Sequence, residues 1–158
     1  MVEPKSRAMP SREQLRIWRN YVETSGVLRA RLTGRLQSES SLSSGDYQVL
    51  LALSESDGLS LRSSELATLI GWERSRLSHH LGRMEKRGLI QRASCPDDTH
   101  GVDVRITDAG SGAFRSGSVP HLRAVREMFI EAFSPEQLEQ LDDLTRTLQQ
   151  HLGLEGES

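Results

Sequence analysis

The stretch ERSRLSHHLGRMEKRGLIQR, residues 73–92, sets Leu77, Leu81 and Met84 at i, i+4 and i+7 inside a run of six positive charges that also holds His79 and His80. A helix with that spacing buries one narrow stripe. It leaves Ser75, Ser78, His79, Gly82 and Lys86 outward, with Arg76, His80 and Arg83 on the flanks. Gly88 is the expected stop. Just upstream, Ser63-Ser64-Glu65 caps a shorter helix bearing Leu66, Leu69 and Ile70, and Gly71 terminates it. Just downstream, residues 89–93 and 102–106 alternate as strands around the turn-rich segment 95–101, which makes a hairpin. Two short helices, a tight turn, a basic second helix and a following hairpin constitute a winged helix-turn-helix.

The rest of the chain is helical and flanks this unit. Leu15, Trp18, Val22, Leu28, Leu32 and Leu36 predict one long amphipathic helix over 11–37, despite Gly26 and Gly34. Ser43 to Asp46 supply helix-starting oxygens before a second helix, whose buried face is expected to carry Tyr47, Leu50, Leu51 and Ser54. Thr107-Asp108 starts another, running through Pro120 to Phe133. Ser134-Pro135-Glu136-Gln137 opens the last, with Leu138, Leu141, Leu144, Leu148 and Leu152 along it. The fold class is mainly α with a small β component, in one integrated domain. Its parts are an N-terminal helix (1–37), the winged helix-turn-helix (38–107) and C-terminal helices (108–158), with the first ten and last six residues expected to fray.

A chain of 158 residues, 35% hydrophobic and 27% charged, can bury one ordinary core. It contains no apolar run long enough to span a bilayer and no secretory signal, so the reading is cytoplasmic, without a membrane partner. The single cysteine, Cys95, has no intramolecular disulfide partner. No catalytic triad emerges, and the protein is read as a non-enzyme without a cofactor. The net charge of −2 is segregated: residues 62–92 hold seven Lys/Arg against three acids, and residues 120–158 hold three against eight. That asymmetry fits one face for an anionic partner and an acidic end turned away, although solvated helix faces can also average this way.

A basic helix of this kind lays its N-terminal part into the major groove of DNA, so the anionic partner is read as double-stranded DNA. Arg74 and Arg76 are the expected base readers, since Arg donates bidentately to guanine O6 and N7. Around them Arg62, Ser63, Ser64, Trp72, Glu73, Ser75, Ser78, His79 and Arg83 complete the contact set, with serines and free helix-start N–H groups suited to phosphate. Thr99 and His100 are added from the wing. His79 and His80 diverge by about 100° and do not chelate one metal together. Cys95 and His100 lack a visible third and fourth ligand, so no metal site is assigned.

The run SSELATLIGWERSRLSHHLGRMEKRGLIQR, with a hairpin closing on RITDAG, resembles the MarR family of bacterial transcription regulators. The resemblance spans nearly the whole chain. It implies a triangular homodimer built from the first and last two helices of each chain and bound to a pseudo-palindromic operator. In such a dimer Leu15, Val22, Leu138, Leu141, Leu144 and Leu148 would be covered by the partner. One departure concerns the wing: where the family commonly places Asp-Arg-Arg five residues before a Leu-Thr pair, this chain has Asp98-Thr99-His100, then five residues, then Ile106-Thr107. The usual wing arginines are missing.

The function expected is a homodimeric, sequence-specific regulator, a repressor relieved by a small molecule between the dimerising helices and the winged unit, with Trp18 and Tyr21 as ligand candidates. Two alternatives stand beside it: a thiol- or metal-responsive regulator on the same fold, through Cys95, and a winged-helix interaction scaffold that has lost its DNA contacts.

Overall fold

Helices α1, α2, α5 and α6 each begin where a short polar side chain takes over an orphan backbone N–H. The structure, a computed structural model, describes residues 9–95 and 101–154. Helix α1 (Arg12–Glu39) starts at Ser11, whose hydroxyl accepts the Gln14 N–H while the Gln14 side chain accepts the Ser11 N–H. The same reciprocal pair, Ser43 with Asp46, opens α2 (Ser44–Glu55), and Ser134 with Gln137 opens α6 (Pro135–His151). Helix α3 (Ser63–Ile70) departs from the expected cap. Its cap residue is Arg62, whose N–H donates to Glu65, and the two serines lie inside the first turn. Helix α4 (Arg74–Lys86) follows after Gly71, and α5 (Asp108–Met128) is capped by the Thr107 hydroxyl.

The hairpin is present as β2 (Ile90–Ser94) and β3 (Val102–Ile106), paired antiparallel with Ile90 opposite Ile106 and Ser94 opposite Val102. It gains a strand that the sequence pattern did not predict. Strand β1 (Ser60–Arg62) pairs antiparallel with β3, Leu61 opposite Val104, so the sheet order is β1-β3-β2. Three residues are too few for alternation to register, and β3 supplies the pairing that makes them a strand.

The core lies among α2, α3, α4 and the sheet. Leu77, Leu81 and Met84 are buried as expected, against Val49, Leu50, Leu53, Leu66, Ile90 and Val104. Two expected faces are corrected. On α2 the buried apolar side chains are Val49, Leu50, Ala52 and Leu53, whereas Tyr47, Leu51 and Ser54 are half-buried on the flank. That helix packs on two sides, the core on one and α1 and α5 on the other, so a one-sided pattern misassigned its face. On α3, Ala67 takes the inward position and Leu69 is 65% exposed. The inward face of so short a helix is centred between Leu66 and Ala67, about 110° away from Leu69.

Helix α5 runs continuously through Pro120 but stops at Met128, short of the expected Phe133. A 3-10 turn over Ile130–Ala132 follows, and the rings of Phe129 and Phe133 meet edge to face across it, with centroids 5.3 Å apart. An ion pair from Arg35 to Glu127 ties α1 to α5 at 2.5 Å. Helix α6 buries none of its residues within the chain, and α1 buries only Leu36. No helix among the described residues is long and apolar enough to cross a membrane.

Candidate nucleic-acid interface

Helix α4 stands on its buried stripe and presents the opposite face outward. Arg74, Ser75, Arg76, Ser78 and His79 are all exposed over its first turns. Its cap residue, Glu73, makes no side-chain bond to the helix, so the first N–H groups of α4 remain open to an acceptor from outside. Arg62, Ser63 and Ser64 sit together where β1 passes into α3, with Arg62 and Ser64 exposed and Ser63 half-buried. Thr99 and His100 lie outside the described residues.

The flank of α4 is more built than its sequence suggests. His80 is only 11% exposed at its side chain, and its Nε2 lies 3.0 Å from Oδ1 of Asp46. Asp46 is itself buried, and its Oδ2 accepts from Arg87 at 2.7 Å while Arg87 also donates to the Ser41 carbonyl at 2.8 Å. Burial alone would raise the Asp46 pKa. The Arg87 hydrogen bond, the Ser43 N–H and the nearby positive charges outweigh it, so the carboxyl titrates below the usual range.

The other ring nitrogen, Nδ1 of His80, lies 3.0 Å from Nη2 of Arg83. A guanidinium only donates, so Nδ1 is the acceptor and Nε2–H the donor to Asp46, which defines a neutral ring. Burial lowers the His80 pKa; Asp46 opposes that shift, and the charges of Arg83 and Arg87 reinforce it. Trp72 abuts the same ring edge-on at 5.2 Å, and the Arg76 guanidinium lies 4.0 Å over the Trp72 ring. Trp72 is therefore half-buried behind Arg76 rather than presented with the other candidates.

The wing is fastened to α4 as well. The Arg92 guanidinium on β2 pairs with Glu85 at 3.1 Å and reaches the Ser78 carbonyl at 3.4 Å, and Glu85 also accepts the Arg92 N–H at 2.8 Å. These bonds hold the Glu85 carboxyl below its ordinary pKa. Cys95, buried at the end of β2, donates to Asp103 at 3.4 Å. No cluster of three metal-ligating side chains occurs among the described residues.

A second concavity, of about 460 Å³, opens between α1, α2 and α5. Leu28, Leu32, Leu36 and Leu51 supply its apolar wall, and Tyr47 and His121 meet there with ring centroids 4.6 Å apart. Nδ1 of His121 is buried without a hydrogen-bond partner, and burial lowers the His121 pKa. Neither Trp18 nor Tyr21 lines this cleft; they stand nearer the start of α1, 58% and 57% exposed. Tyr47 and His121 went unrecognised because they come from helices more than seventy residues apart, and only the packing of α2 against α5 brings them together.

Three short helices, the third of them basic and backed by an apolar stripe, and a three-stranded antiparallel sheet make this a winged helix-turn-helix protein. The model of the MarR family matches residues 40–99. Two solved MarR family transcriptional regulators from Streptomyces coelicolor resemble the chain throughout. AbsC is 34% identical, covering 92% of this chain and 97% of its own, with a TM-score of 0.84. Sco3205, solved in complex with DNA, is 33% identical, covering 92% and 91%, with a TM-score of 0.86. The transcriptional repressor MprA of Escherichia coli K12 is 26% identical over 102 residues, 65% of this chain, and the match spans 57% of the MprA length. The chain belongs to the MarR family.

Proposed function

We propose that this chain is a homodimeric, sequence-specific DNA-binding transcription regulator, and that it is a repressor relieved by a small molecule. The observation that carries the DNA reading is α4: a helix whose apolar stripe is buried in a fixed core and whose opposite face exposes Arg74, Ser75, Arg76, Ser78 and His79. Residues 38–107 form the DNA-binding head, and residues 1–37 with 108–158 form the dimerising arms. Sco3205 bound to DNA and the repressor MprA support the same direction by similarity.

The dimer reading rests on the arms. Leu15, Trp18 and Val22 on α1, Leu122 on α5, Leu144 and Leu148 on α6 and Leu152 just after it are each between 37% and 66% exposed, and apolar side chains exposed along neighbouring helices mark a surface suited to a partner. A second copy related by a twofold axis covers them and sets two α4 helices facing successive major grooves, about 34–36 Å apart.

The cleft between α1, α2 and α5 is where the inducer binds in this reading, since it joins the arms to the head. An apolar molecule carrying one hydrogen-bonding group would satisfy Nδ1 of His121. To induce, it must bind the DNA-incompetent arrangement more tightly, and linkage then makes operator DNA weaken the ligand by the same factor.

Selection of bound duplexes from a random pool tests the whole reading. An enriched palindrome with half-sites one helical turn apart is the expected result. Weak, sequence-independent retention of all duplexes would leave a scaffold without DNA specificity.

A further inference from the structure

Asp46, His80, Trp72 and Arg76 form an unbroken chain of contacts from the buried start of α2 to the exposed face of α4. At one end, Asp46 is fixed by the Ser43 cap and by Arg87. Its Oδ1 holds the His80 ring, and that ring carries Trp72 edge-on while its Nδ1 accepts from Arg83. Trp72 in turn lies beneath the Arg76 guanidinium. Gly45 keeps the assembly close: a Cβ there would come within 2.9 Å of both His80 and Trp72.

We propose that Asp46 and His80 are positioning residues for DNA readout, one imidazole ring serving as the common abutment that aims Arg76, through Trp72, and Arg83 directly. This rests on the reading of α4 as the helix that enters the groove.

The physical reason is entropic and geometric. An exposed arginine samples many rotamers, and bidentate recognition of a base edge needs the planar guanidinium in one orientation. A guanidinium lying on an indole face has fewer orientations to lose, provided the indole itself cannot tilt. Trp72 is backed by His80, and His80 cannot turn without breaking its bond to a carboxylate that the α2 cap and Arg87 hold in place. Aim is thus set by residues that never touch DNA.

The experiment measures affinity for the selected operator and for a duplex altered at the base pair that Arg76 reads, on the same protein preparation. The ratio of the two affinities is independent of the fraction of protein that is folded. Loss of one bidentate reader's discrimination corresponds to about fivefold or more. His80→Leu and Gly45→Ala are each expected to lower the ratio by about that factor. Gly45→Ala leaves Asp46, His80, Trp72 and Arg76 chemically intact and displaces the two rings by steric contact alone, and any accompanying loss of folded protein cancels in the ratio.

His80→Gln, whose amide donates to Asp46 and whose carbonyl accepts from Arg83, is expected to restore most of the ratio. In an Arg76→Ala background, His80→Leu should change it no further. A ratio unchanged by both His80→Leu and Gly45→Ala, in a parent chain that does select a sequence, overturns the positioning role alone. So does an equal loss with His80→Gln and His80→Leu. A parent chain that selects no sequence overturns the groove reading, and the positioning role falls with it.

Discussion

The winged head and the helical arms are built to different standards of completeness. In the head, Leu77, Leu81, Met84, Leu50 and Leu53 are no more than 1% exposed, and the one buried charge among the described residues, Asp46, has three partners. In the arms, α6 buries nothing, and Leu144 is 66% exposed. Helices α4 and α6, of similar apolar content, thus meet opposite fates, because α4 closes a core with two other short helices and a sheet while α6 packs against little else of the chain. The head has the properties of a folding unit; the arms have those of one half of an interface.

The largest expected effect comes from removing the arm that buries least. A chain lacking residues 134–158 should sediment as a monomer and lose operator specificity, while its head keeps a cooperative melting transition. A truncated chain that remains a stable dimer would break the distinction between the two regions.

Within the head, Leu81→Ala should cost about 2–5 kcal/mol in denaturant unfolding, because a fully buried leucine leaves a cavity. Leu144→Ala on the arm should scarcely move the unfolding of a monomeric sample, and should weaken association instead. Equal costs at the two sites would show that the arm is already packed in the single chain.

Asp46→Ala should cost about 3 kcal/mol, the low end for breaking a buried pair, since Arg87 is 42% exposed and can rehydrate. By contrast Asp142, paired with Arg146 on the exposed face of α6, should lose no more than about 0.5 kcal/mol on substitution by Asn. The pKa values of Asp46 and His80 are both shifted downward, which fixes the sign with pH. The stabilisation from a neutral His80 is complete above its unfolded pKa of about 6.5 and is lost as pH falls through the lower folded value. That from Asp46 is complete above about 3.9 and is lost further down. The urea midpoint of the parent should therefore drop on acidification, and His80→Gln should show a smaller drop in its upper part, the remainder there coming from His121.

Arg76→Ala should leave folding nearly unchanged and cost about 1–3 kcal/mol in binding, with relaxed base preference at one position in each half-site. Lys86→Ala, further along the same helix, should do neither. A uniform loss across all sequences with a shallower salt dependence would make Arg76 a phosphate contact.

Much of this was readable from residue spacing, and the failures have a common cause. The stripe of α4, the caps at Ser43, Thr107 and Ser134 and the hairpin depend on residues within a few positions of one another, so local pattern suffices. Strand β1, the outward turn of Leu69 and the two-sided packing of α2 depend on what the chain folds against. The candidate interface divides in the same way. Arg74, Arg76, Ser78 and His79 follow from helical phase, and the seat of Arg76 on Trp72 joins near neighbours in sequence, but the clamp from Asp46 to His80 joins residues 34 positions apart. The cleft at Tyr47 and His121 was illegible for that reason too.

The division of α4 into an inner stripe and an outer face also bears on how such a protein changes over generations. Ser75, Ser78 and His79 contribute nothing to the core, and substitutions at exposed sites of this kind usually shift stability by no more than about 0.5 kcal/mol. If α4 reads DNA as proposed, successive mutations there can retune which operator is read while every intermediate remains folded. Arg76 has less freedom, since its seat on Trp72 links it to the hub, and a lineage exploring new targets would be expected to keep it longest.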